Sequence, residues 1–223
     1  MGNDFGNLQK VKDGKRTFAI TPDIPGGFTT PETLEKIARV AKKYDGVIKL
    51  TSGQRILITN LKAEDLPSIW KELDMKPAVL TQNSVKNVEM CPAGFCKRSK
   101  FNTISTGMKL YNKYMRMEMP CRTKIGVAGC RSACGSVYSK DVGVIADVTG
   151  FRVTAGGSAG YNPRIADVIA VDLTEVEALE TVDNIFDFYK TNASMGEKLS
   201  DFIDRIGIDA LRKNVITINE ASK

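Results

Sequence analysis

Two tight cysteine pairs, Cys91 with Cys96 in "CPAGFC" and Cys130 with Cys134 in "CRSAC", flank a fifth cysteine, Cys121. Thiolates at C-x4-C and C-x3-C spacing suit tetrahedral zinc or an iron-sulfur cluster. Structural zinc more often takes C-x2-C knuckles, whereas a 4Fe-4S cube sets its irons farther apart and accepts wider pairs. Ala93, Gly94, Gly129, Ala133 and Gly135 let the backbone approach a bulky inorganic object and aim amides at its sulfides. Zinc, and a glycine-rich core with buried unpaired thiols, stay open on the residues alone.

The sequence contains no histidine, which excludes His-ligated metal and every His-based acid-base scheme. Any chemistry falls to cysteine, lysine, arginine or a cofactor. The net charge is +6, and cations concentrate near the cysteines at Lys97, Arg98, Lys100, Arg116, Arg122, Lys124 and Arg131. Such clustering fits a charged pocket for a small anion. Nucleic acid is the weaker reading, because aromatic residues are only 7% and do not interleave with the basic ones. The start lacks the apolar run of a signal peptide and no stretch reaches membrane-spanning length. Together with an odd count of five cysteines, this gives a cytoplasmic expectation, since thiols stay reduced there.

The elements that must position these residues read as α+β. Residues 1–15 are polar and expected to be flexible. "RTFAIT" reads as a strand, and Thr30 with Pro31 opens a helix whose apolar face is Leu34, Ile37, Ala38 and Ala41, ended by Gly46. "VIKLT" and "QRILIT" form a hairpin across Ser52-Gly53, Ala63 to Leu73 is a helix burying Ile69, Trp70 and Leu73, and "VKNVEM" is a strand. The order β-α-β-β-α-β is that of a ferredoxin-like unit. Beyond Cys96 the spacing of Phe101, Ile104, Met108 and Tyr111 predicts a helix of about 18 residues. "RTKIGVAG" is a strand running into Cys130, and "VGVIADVTGFRVTAGG" is a hairpin turning at Thr149-Gly150. Thr174 with Glu177 is a capping box, and "EKLSDFIDRIG" an amphipathic helix ended by Gly207.

The run "CRTKIGVAGCRSACGSVYSKDVGVIADVTGFRVTAGGSAGYNPRIAD" resembles the 4Fe-4S and siroheme half-domain of nitrite and sulfite reductases, and "VIKLTSGQRILIT" resembles the ferredoxin-like half-domain that precedes it. The likeness implies a flexible N-terminus over 1–15, a ferredoxin-like βαββαβ half-domain over 16–84 and an α/β siroheme and 4Fe-4S binding domain over 85–223. It implies that Cys91, Cys96, Cys130 and Cys134 hold the cluster, with Cys134 also ligating the siroheme iron. Cys121 is then a pocket or core thiol, or a replacement for Cys96. The first pair departs from the family's usual C-x5-C by one residue.

Siroheme carries many carboxylates and its substrate is an anion, so the site needs fixed positive charge. Alternation along "MPCRTKIGV" sends Arg122 and Lys124 to one face. They match the family's Lys-x-Lys pair with the first residue changed, and Lys86 stands where the family commonly has arginine. The resemblance makes Arg122, Lys124 and Lys86 catalytic, and Gln54, Arg55, Arg98, Arg131, Arg164, Gly156, Gly157 and Gly160 contacts to siroheme or substrate. For a single Lys or Arg a solvated surface charge is the plainer reading, and for the glycines a tight turn. The implied activity is a small assimilatory-type reduction of sulfite to sulfide or nitrite to ammonia, with electrons from an external ferredoxin-like donor, in a monomer or homodimer. A siroheme and 4Fe-4S electron carrier without turnover is the alternative.

Overall fold

The computed structural model describes residues 6–12 and 14–216, and the chain divides after Leu80 into two compact units. The first contains β1 (Asn7–Lys12), β2 (Lys15–Ile20), α1 (Pro31–Lys43), β3 (Val47–Leu50), β4 (Ile56–Leu61) and α2 (Leu66–Leu73). Its antiparallel sheet has the order β1-β2-β4-β3. Phe18 and Ile20 of β2 and Ile58 of β4 meet Ile37 of α1 and Ile69 and Leu73 of α2 in one apolar core. Trp70 is only partly buried, at the margin of that core. The Thr30 hydroxyl accepts the Thr33 N–H at 3.3 Å and Pro31 occupies the first turn, as the start signal predicts.

Two expectations change here. Residues 1–15 were expected to be flexible, yet Asn7–Lys12 forms β1, paired antiparallel with β2. The strand "VKNVEM" was expected to complete the ferredoxin-like unit, yet it is β5 (Val85–Met90) and pairs in the sheet of the second unit. The sheet place that a last strand would take beside β2 is filled by β1. Alternation reports extended backbone, but it carries no information on which strand is the partner.

The second unit holds β5, α3 (Thr103–Tyr114), β6 (Thr123–Ala128), β7 (Val142–Ala146), β8 (Phe151–Ala155), β9 (Asp167–Leu173), α4 (Glu175–Asn192), α5 (Leu199–Ile206) and α6 (Ile208–Val215). Its sheet runs β5-β6-β7-β8-β9, with β5, β6 and β7 parallel and β7, β8 and β9 antiparallel. All five residues of β7 are buried, as in a strand covered on both faces. α3 packs on β5 and β6 and α4 on β8 and β9, enclosing Val88, Ile125, Val144, Val153, Ile185, Phe186 and Phe202.

α3 has 12 residues, shorter than expected. It starts at Asn102, whose side chain accepts the Ile104 N–H, because the preceding backbone is committed elsewhere: Lys100 N–H donates to Gly129 at 2.7 Å and Ser99 N–H to Cys96 at 3.0 Å. Phe101, read as part of its apolar face, stacks on Phe151 instead. The capping box at Thr174 and Glu177 is present, and Gly207 ends α5 with φ of 84°. Among the described residues no helix is long and apolar enough to cross a membrane.

Candidate active site

β6 runs parallel between β5 and β7, and chemistry gathers at both of its ends. At its C-terminal end the cysteine loops leave the sheet: Cys91 follows β5 directly and Cys130 follows β6. The buried Cys91 Sγ accepts the Gly129 N–H at 3.1 Å. Burial pushes the Cys91 thiol up, and Cys134, Cys130 and Cys96 push it further, so these three act on it as near neighbours. Cys96 and Cys134 are exposed and Cys130 is intermediate. Cys121 has other company, its backbone N–H meeting the Tyr189 hydroxyl.

The loop backbone is closely fitted around these thiols. A Cβ added at Gly129 would stand 2.2 Å from the Ser99 hydroxyl and 2.6 Å from the Ala93 methyl. Ala93, Ala128 and Ala133 pack with Cys91, so small residues bring backbone and sulfur together. Among the described residues no three Cys, Asp or Glu side chains converge tightly enough to hold a single metal ion. The amide aimed at sulfur and the tight glycine approach fit the larger iron-sulfur group.

At the opposite end of β6, a strand about 20 Å long, lies a cavity of about 120 Å³ lined by Arg122, Lys124, Ser139, Lys140, Asp141, Lys198 and the turn Gly157 to Gly160. Parallel pairing of β6 with β7 sets Lys140 and Asp141 beside Arg122 and Lys124, and antiparallel β8 returns Gly157 to the same end. Four cations thus share one small space. Burial, and then the neighbouring Lys140, lower the Lys124 pKa from the ordinary lysine value. Lys140 is held by an ion pair of 2.7 Å to Glu89 of β5, both side chains buried, and Glu89 also accepts the Asn87 amide at 3.2 Å. The half-buried Asp141 accepts the Lys124 backbone N–H at 2.8 Å. Burial raises its carboxyl pKa to about 6. The turn is close-fitting too: a Cβ on Gly157 would meet the Lys140 and Tyr138 carbonyls at 2.4 and 2.5 Å.

The other expected residues are more scattered. Lys86 donates to the Thr81 carbonyl and does not line the cavity. Arg164 is engaged by Asp167 at 2.5 Å and Asp204 at 3.0 Å and donates to the Gly156 carbonyl at 3.0 Å, so it braces the turn after β8. Gly156 needs its φ of 83°, and a Cβ there would strike Arg164 and Ile203. Exposed Arg131 lies 3.6 Å from Asp147, and Arg98 is exposed in the first cysteine loop. Gln54 and Arg55 belong to the first unit, where the Thr51 hydroxyl accepts the Arg55 N–H at 3.2 Å and closes the turn between β3 and β4. Sequence reasoning missed Lys140, Asp141, Lys198 and Glu89. The "SKD" before a buried strand was the available signal for the first two, whereas Lys198 reaches the cavity only through the packing of α5.

Comparisons with known proteins match both units. Residues 81–222 match the nitrite and sulphite reductase 4Fe-4S domain, and residues 9–76 the nitrite/sulfite reductase ferredoxin-like half domain. The assimilatory-type sulfite reductase of Nitratidesulfovibrio vulgaris is 33% identical over 204 residues, covering 91% of this chain and 94% of that protein. The NADH nitrite reductase large subunit of Escherichia coli is 29% identical over 96% of this chain, which spans 26% of that subunit. Dissimilatory sulfite reductase I matches in fold with a TM-score of 0.79 at 14% identity, over 90% of this chain and 69% of that one. The NirA protein of Mycobacterium tuberculosis does so with a TM-score of 0.74 at 17% identity, over 91% and 41%.

The Lys140 and Glu89 pair gives a direct test of the cavity's support. Lys140→Met strands a buried carboxylate and is expected to cost about 3–5 kcal/mol in urea unfolding. Adding Glu89→Gln should recover most of that loss, because the double variant has no unpaired charge left.

Proposed function

The chain belongs to the nitrite and sulfite reductase family, and from that premise we propose that the cationic cavity receives the anion to be reduced while the cysteine loops hold the electron store. The enzyme is an oxidoreductase of assimilatory type, acting on sulfite or nitrite with siroheme and a 4Fe-4S cluster as cofactors. The observation that carries the reading is the gathering of Arg122, Lys124, Lys140 and Lys198 around one small cavity. So dense a group of cations is costly unless an anion is their counter-charge.

When bound, the cofactors would supply low-potential electrons and the metal at which an oxyanion is reduced. Cys91, Cys96, Cys130 and Cys134 would hold the cluster, and Cys134 would also serve the siroheme iron. The Gly129 amide donated to Cys91 Sγ offsets thiolate charge. Arg122 orients the anion, since a guanidinium stays charged and donates in a fixed fork. Lys124 delivers protons, a role supported by its lowered pKa, which burial and Lys140 cause. Arg98, Arg131, Gly156 and Gly157 serve the binding of cofactor carboxylates or substrate, with Arg164 bracing the turn that carries the two glycines. Electrons come from a separate ferredoxin-like donor in the cytoplasm, and the working unit is a monomer or homodimer.

Steady-state turnover with each anion tests the reading. Lys124→Met is expected to lower kcat by roughly two orders of magnitude with siroheme still bound, whereas Arg122→Met mainly raises KM. Parental kcat in Lys124→Met would remove the proton role. The thiols are checked by iron analysis: Cys121→Ser should keep its full iron, and Cys134→Ser should lose both the cluster and normal siroheme absorption. Loss of the cluster in Cys121→Ser with retention in Cys96→Ser would reassign the ligand set.

A further inference from the structure

Asp141 is the acidic side chain among the residues lining the cationic cavity. It sits just before β7, half-buried, with the Lys124 N–H as a fixed donor at 2.8 Å. The charged groups that face it come from several elements: Lys124 and Arg122 from β6 and the residues before it, Lys140 from its own loop, and Lys198 from the start of α5. Tyr189 of α4 also lies near it, as do Cys121 and Glu197 around that tyrosine. The Tyr189 hydroxyl is occupied in donating to the Glu197 carbonyl, and burial pushes its pKa upward, so it does not titrate near neutrality. Glu89 is already matched by Lys140. Asp141 is therefore the carboxylate that an incoming anion must compete with.

We propose that Asp141 takes up a proton when an oxyanion enters the cavity, so that substrate and proton arrive together in a site without histidine. The inference rests on the cavity being the substrate site. Before binding, the carboxylate is a counter-charge to the cations of the cavity, Lys124 and Lys198 foremost. An anion placed among the same cations takes over that role and repels the carboxylate at short range. Both effects favour the neutral acid. In this step one proton passes from the acid form of the buffer, through solvent, to a carboxylate oxygen; no electron moves and no bond to the substrate forms. The acid can later release that proton toward the reacting oxygen through water or Lys124, and Asp141 becomes ionised again.

The sign of the pH dependence follows. Burial already raises the free carboxyl to about 6, and a bound anion raises it further. Below about pH 6 the group is protonated with or without the anion. Between the two values, binding draws in a proton, and anion affinity falls as pH rises, by up to about tenfold per unit.

Nitrite is the suitable probe because it is fully ionised near neutrality and brings no titrating proton of its own. Calorimetric titration of the holoprotein with nitrite at about pH 7, repeated in buffers of different ionisation enthalpy, reads the protons absorbed. The expected result is roughly half a proton or more per anion bound. In Asp141→Asn, which keeps an oxygen to accept the Lys124 N–H, uptake should fall close to zero and nitrite affinity should stay level from about pH 6 to about pH 8. Nitrite binding without proton uptake in the parent protein overturns the inference with no variant needed, and undiminished uptake in Asp141→Asn also overturns it. In both of those outcomes the parent still reduces its anion. A parent that neither binds nor reduces nitrite or sulfite overturns the cavity's assignment, and this inference with it.

Discussion

The parallel pairing of β6 between β5 and β7 is the constraint on which the rest of the second unit depends. Parallel neighbours begin at one end and finish at the other, so residues that enter these strands gather on one side and residues that leave them gather on the opposite side. Arg122 and Lys124 enter β6 beside Lys140 and Asp141 entering β7; Cys130 leaves β6 beside Cys91 leaving β5. One backbone arrangement thereby separates a cationic end from a thiolate end. Slipping β6 by one residue would turn Lys124 toward the apolar core and Ile125 toward the charges.

Charge balance is the second requirement, and the sheet supplies it from within. Glu89 on β5 neutralises Lys140 from below, and Asp141 answers Lys124 and Lys198 from the side. The cavity keeps an excess of positive charge because its described lining sets Arg122, Lys124, Lys140 and Lys198 against Asp141, with Glu89 answering Lys140 from β5. That excess is what an oxyanion or a cofactor carboxylate can satisfy. The close fit of Gly157 and of Gly156 against Arg164 holds the turn that closes this space.

Much of this was legible in the sequence where the signal is local. Thr30-Pro31, the Thr174 and Glu177 box, the Ser52-Gly53 hairpin and the Thr149-Gly150 turn all carry their geometry in a few adjacent residues. The grouping of Arg122 with Lys124 followed from strand alternation. Partner choice was not legible: "VKNVEM" was read correctly as a strand but lies in the other sheet, and polar "NLQKVK" gave no apolar pattern to mark it as β1. Lys198 was missed because it is distant in sequence and reaches the cavity through tertiary packing alone. The start of α3 was misplaced because backbone bonds of Ser99 and Lys100 to the cysteine loops override the helical spacing of Phe101.

The central claim is that the two ends of β6 serve an iron-sulfur group coupled to siroheme. The absorption spectrum of anaerobically purified protein, taken with iron, zinc and acid-labile sulfide analysis on the same sample, tests it most directly. The account predicts siroheme bands, iron in excess of labile sulfide by the one siroheme atom, and negligible zinc. A visible spectrum without siroheme bands, with zinc bound in place of iron, would contradict it.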